Sequence, residues 1–172
     1  MKRLILMSVL LGCLLLCSGC SRTVPDYFAF REAGFCAEVR GTLDGTDFCA
    51  RITAKRGRDG GEVRVEYLAP AVLERTILRA VCNESGEVIG DAEILRAESD
   101  FFVRAEALNG LFLPATAWLS CDELESVQKN GEGYVLSLAN GASLKIGNDG
   151  RPTAFSSEKI RMDIVWLEST AS

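Results

Sequence analysis

Alternation of apolar and polar side chains dominates the chain beyond Tyr27. Phe35, Ala37 and Val39 alternate with Cys36, Glu38 and Arg40, the period of two that marks a half-buried strand. Asp44-Gly45 supplies a two-residue hairpin turn, and Phe48, Ala50, Ile52 and Ala54 carry the pattern back. In that register Glu38 faces Arg51, Arg40 faces Cys49 and Cys36 faces Thr53, so an acid meets a base on the outer side. Val63, Val65 and Tyr67 alternate with Arg64 and Glu66 in a third strand that ends at Pro70, because proline cannot continue a central ladder. Residues 76–82 and 87–95 predict two more strands around Asn83-Glu84-Ser85-Gly86, where the Asn-x-Ser sequence reads as turn chemistry.

The period then changes. Phe101, Ala105, Leu108 and Phe112 fall at helical spacing, with Asn109-Gly110 as a candidate early end. Ser120-Cys121-Asp122-Glu123 fits a capping box, and Leu119 and Leu124 stand where a hydrophobic staple would place them, which predicts a second short helix. Strands resume at Gly133. Tyr134, Leu136 and Leu138 alternate, and a three-residue loop Ala139–Gly141 pairs Leu136 with Leu144 and Tyr134 with Ile146. A two-residue turn there would mix the faces, since a slip of one residue flips every side chain. Ile160, Met162, Ile164 and Trp166 close the series. Five strands, two helices and three strands predict an α+β chain: one antiparallel sheet of about eight strands whose apolar face the helices must cover.

The first twenty residues follow a different logic. Lys2 and Arg3 precede an apolar run from Leu4 to Leu16, then Cys17-Ser18-Gly19-Cys20. A basic start, a short apolar run and small residues before a cleavage point describe a secretory signal. The run falls short of the about 20 apolar residues that span a bilayer. Cys20 after Ser-Gly resembles the lipobox of bacterial lipoproteins, although Cys17 stands where that family prefers Leu. The resemblance implies removal of residues 1–19 and a diacylglyceryl group on the Cys20 thiol. Two acyl chains would hold the protein at a membrane surface, where one chain binds only marginally. Residues 20–29 then form a lipidated tether and residues 30–170 the domain. The expected place is the extracytoplasmic face of the cell membrane, or the outer membrane where one exists.

Composition narrows the partners. Removing residues 1–19 from 172 leaves 153, enough for one domain with a real core. The removed segment takes two of the 19 bases and none of the 24 acids, so the mature charge is −7. That balance argues against nucleic acid and against electrostatic docking on anionic lipid. There is no histidine, which removes the commonest general base. Ser126-x-x-Lys129 matches the S-x-x-K pattern without its companion motifs, and of Cys121, Asp122, Glu123 and Glu125 the capping box explains three of the four without a metal. No enzyme, metal or cofactor is expected. Cys13, Cys17 and Cys20 mimic an iron–sulfur spacing but lie in the signal segment. Cys36, Cys49, Cys82 and Cys121 allow three full pairings, and the Cys36/Cys49 pair is too far out of register to bridge. The weight falls on no disulfide.

The strand run beginning "FCAEVRG", Pro70 after "VRVEYLA" and the closing "GRPTAFSSEKIRMDIVW" resemble the LolB- and LolA-type lipoprotein carriers and their half-barrel relatives. The resemblance implies a strongly curved half-barrel sheet lidded by helices over a cavity for acyl chains. The protruding apolar loop that LolB uses for handover has no counterpart here. On this reading the cavity would be lined by Val39, Ala50, Ile52, Val65, Tyr67, Leu136, Leu144, Met162 and Ile164, with Phe101 and Phe112 from the covering helix. The expected function is a membrane-anchored, monomeric envelope lipoprotein that binds lipid or another hydrophobic ligand. The alternative is a structural or accessory lipoprotein with a filled core that binds a protein partner.

Overall fold

A computed structural model describes residues 26–57, 60–96, 99–120 and 123–168. The signal segment, Cys20 and the tether as far as residue 25 lie outside the described residues. Eleven strands form one open antiparallel sheet: β1 (Phe35–Leu43), β2 (Thr46–Gly57), β3 (Gly60–Ala69), β4 (Ile77–Cys82), β5 (Val88–Arg96), β6 (Ser99–Arg104), β7 (Leu124–Asn130), β8 (Gly133–Leu138), β9 (Ser143–Gly147), β10 (Pro152–Ser156) and β11 (Ile160–Leu167). Their spatial order is β6-β5-β4-β3-β2-β1-β11-β10-β9-β8-β7. Two meanders therefore meet at a central seam where β1 pairs with β11, Val39 opposite Ile164. Among the described residues one α-helix forms, α1 (Asn109–Leu119), entered through a 3-10 turn at Ala105–Leu108.

This corrects the expected α+β half-barrel of about eight strands under two helices. Phe101 belongs to β6, opposite Ile94 of β5, because the run Phe101-Phe102-Val103 pairs with a ready sheet edge despite its helical spacing. Asn109-Gly110 begins the helix that it was expected to end. The second helix does not form either: Leu124–Asn130 is a strand on β8. The Ser120 hydroxyl donates back to the Thr116 carbonyl at 2.7 Å, so it finishes α1 rather than starting another helix. The Ala139 amide holds the Glu123 carbonyl at 3.0 Å and draws the segment toward β8.

The hairpin registers follow the pattern of the residues. Leu43 pairs with Thr46 across Asp44-Gly45, where φ is +48° and +79°, as a turn matched to the twist of a hairpin requires. Glu38 lies opposite Arg51, Arg40 opposite Cys49 and Cys36 opposite Thr53. Leu136 pairs with Leu144 and Tyr134 with Ile146. The ion pairs run differently from the register. Glu38 takes Arg40 on its own strand, whereas Arg51 reaches Glu66 of β3 at 3.8 Å.

The sheet cannot lie flat. Ten strand spacings at about 4.8 Å would separate β6 from β7 by about 48 Å. Between them the helix reaches about 16 Å, the 3-10 turn about 8 Å and residues 120–123 about 14 Å when fully extended, less than the flat width. The two edges must therefore curl toward each other around α1. Gly41 records the close approach at the seam, since a Cβ there would collide with the carbonyl oxygen of Arg161. The inner faces of both meanders and the buried side of α1 make one core.

Candidate functional site

The residues expected to line a cavity do share one face of the sheet. Val39, Ala50, Ile52, Val65, Tyr67, Leu136, Leu144, Met162 and Ile164 all point into the common core, and each is at most 5% exposed. Phe112 joins them from α1, itself fully buried. Phe101 sits on β6 by its backbone; its side chain lies outside the described residues. The hollow between sheet and helix is occupied by the helix's own large side chains, because Phe112, Trp118 and Leu119 are buried to within 1%. Interiors packed at crystal density leave little space for a guest.

Helix α1 has unusual chemistry for a covering helix. Its sequence, NGLFLPATAWL, carries no charge. Pro114 inside it removes one backbone donor. The Trp118 indole Nε1 donates to the Pro114 carbonyl one turn back, 2.8 Å away. The Tyr67 hydroxyl donates to the Leu111 carbonyl at 2.7 Å and ties the helix to β3. Burial pushes that phenol's pKa upward, since the charged form would lose its water.

One end of the core is sealed by four rings. Phe30 stacks on Trp118 with centroids 5.6 Å apart. Phe35 lies 5.1 Å from Trp118 and 5.0 Å from Trp166, and the two tryptophans meet edge to face at 6.3 Å. Aromatic pairs in such geometry contribute about 0.5–1.5 kcal/mol each beyond their burial. Trp166 is fixed from outside, where its Nε1 donates to the Pro152 carbonyl at 2.7 Å and the Arg151 guanidinium lies over its ring at 5.4 Å. Tyr27 and Phe28, within the span expected to be tether, pack against the core. Beyond the rings opens a recess of about 590 Å³, with Phe30, Phe35 and Trp166 on its floor and Asp26, Asp149 and Glu168 among its walls. Sequence reasoning passed over this cluster. The available signal was that the chain's two tryptophans each stand one residue from the end of an apolar run.

The remaining chemical candidates are dispersed. Ser126 and Lys129 lie on the exposed edge strand β7, not one turn apart on a helix. Three residues apart on a strand, they project to opposite faces. Cys36, Cys49 and Cys82 are free thiols, and Cys121 lies outside the described residues. Burial pushes the Cys49 thiol's pKa up. The Thr53 hydroxyl lies 3.6 Å from the Cys36 sulfur, and the Cys82 thiol donates to the Gly61 carbonyl at 3.4 Å. Among the described residues no group of three or more potential metal ligands comes together.

No family model matches the chain, and no curated protein matches it. A solved structure that the chain resembles is an uncharacterized conserved protein from Thermus thermophilus, 19% identical, with a TM-score of 0.48 over 83% of this chain and 81% of that one. A likeness of that size carries no argument about function.

Proposed function

We propose that the chain is a membrane-anchored envelope lipoprotein, attached through Cys20, whose filled domain binds a protein partner through its surface. The signal-like run with Cys17-Ser18-Gly19-Cys20 supports the anchor. The observation that carries the rest is the burial of the expected lining to within 5%. The recess beside Trp166 is the surface best suited to a partner. Its lining joins aromatic rings to three carboxylates and the cation Arg151, which Asp149 already approaches at 3.9 Å. That lining complements a segment bearing lysine or arginine, whose charge meets the carboxylates. Cys20→Ala should move the protein from the membrane to the soluble fraction. Asp26→Asn with Glu168→Gln should lose a partner that the natural chain retains from detergent-solubilised envelopes. Stoichiometric co-purification of lipid with no protein partner would overturn the reading.

A second reading, an acyl-chain carrier like the LolA/LolB family that the sequence resembles, draws on α1. The helix is uncharged and has no side-chain cap at its start, so its displacement would open an apolar face. Native mass spectrometry with a fluorescent fatty acid separates the two readings. The filled domain yields one mass and no uptake, whereas a carrier yields a saturable adduct.

A further inference from the structure

The outer side of the seam carries a second recess, of about 420 Å³, within the about 300–1,000 Å³ typical of small-molecule sites. It crosses β1, β11, β10 and β9 on the face away from the core. Two cross-strand rows build it. Asp163 pairs with Ala154, which pairs with Lys145, so a methyl floor lies between an acid and a base. In the adjacent row Thr42 pairs with Arg161, Arg161 with Ser156, and Ser156 with Ser143. Small side chains in mid-row and long ones around them make the depression.

Its charges are uncommitted. Arg40 lies opposite Asp163 in register, yet its guanidinium is taken by Glu38. Among the described residues Lys145, Arg161 and Asp163 take part in none of the ion pairs, which join other groups. In a chain with 24 acids against 19 bases, two free cations in one hollow reverse the local sign.

We propose that this recess binds a phosphorylated polyol or sugar. Lys145 and Arg161 supply the charge-assisted donors that a phosphoryl group takes best, and the hydroxyls of Thr42, Ser143 and Ser156 add donors beside them. Asp163 repels a bare anion but accepts hydrogen bonds from a ligand hydroxyl, so the site favours a phosphate that carries one. The proposal is independent of the anchored-partner reading, because the recess lies at the far ends of β1 and β11 from the tether.

The test is titration of the full chain in detergent with glycerol 3-phosphate and with inorganic phosphate. Saturable binding of glycerol 3-phosphate is expected, tighter than that of phosphate. Lys145→Gln and Arg161→Gln should each weaken it by about tenfold, and Lys129→Gln on the distant edge strand should leave it unchanged. Asp163→Asn should strengthen binding of inorganic phosphate and erase the preference for glycerol 3-phosphate. Vesicles with and without phosphatidylglycerol separate the sources. Binding to those vesicles alone assigns the phosphoryl group to a lipid head, and binding in solution assigns it to a free compound or polymer. Absence of saturable binding in every arm, equal losses with Lys129→Gln, or an unchanged preference in Asp163→Asn would overturn the proposal.

Discussion

The Tyr67 hydroxyl and the Leu111 carbonyl meet at 2.7 Å across the boundary between β3 and α1. They are 44 residues apart in sequence, and the bond fixes how the helix seats on the sheet. Tyr67→Phe should cost about 1 kcal/mol by leaving the carbonyl without its donor. The same phenol sets an alkaline limit. Its folded pKa is raised, so its contribution is fully present below the unfolded value near about 10. Above that pH the unfolded chain releases the proton while the folded chain keeps it, and stability falls by about 1.4 kcal/mol per pH unit from this group. Urea denaturation at rising pH should show a steeper alkaline loss in the natural chain than in Tyr67→Phe.

Trp118 touches Phe30, Phe35 and Trp166 in the plug. Trp118→Ala should destabilise the domain by about 3–5 kcal/mol. The void would be apolar, and such voids stay dry and accept small aromatic guests. Added indole should therefore restore part of the loss in the variant and do nothing for the natural chain. Stability unmoved by indole in both would mean that the plug collapses around the gap.

Gly41 tests the curl. A methyl there meets the Arg161 carbonyl, so Gly41→Ala should cost about 1–3 kcal/mol as the seam shifts to admit it. Gly131→Ala is the control, since nothing lies within 4 Å of its added Cβ, and its effect should stay within about 0.5 kcal/mol. Equilibrium unfolding of both variants in urea gives the comparison.

Arg79 lies between two acids, 3.2 Å from Glu93 and 3.6 Å from Glu62, with 43% of its side chain exposed. Solvent screens such a pair, so Arg79→Ala should cost no more than about 1 kcal/mol. The difference should shrink in high salt, read as converging unfolding midpoints.

How much of this was written in the sequence depends on which strands bury a side. The β1–β2 hairpin and the β8–β9 loop could be read residue for residue, because alternation and turn chemistry agree there. Strand β7 exposes all seven of its residues, so it has no apolar period to read, and a chance capping box filled the silence. In β10 the buried residues Pro152 and Phe155 stand three apart across a bulge, which breaks the period of two. Strand β6 was hidden by Phe101, whose spacing to Ala105 and Leu108 imitates a helix. The shared apolar face was legible from parity alone. Whether it enclosed space was not, because that turns on the volumes of Phe112 and Trp118 against a curl that no local pattern encodes.

The pairing of β1 with β11 has a consequence for assembly. The two strands at the middle of the sheet are the paired strands furthest apart along the polypeptide, so the seam forms by closing all the other strands of the sheet into one loop. A nascent chain lacking residues 160–167 would leave Phe35–Leu43 with a bare edge, together with the rings that Trp166 should cover. Maturation is therefore all or nothing at the centre, and a product cut short anywhere before Ile160 should be sticky and easily degraded.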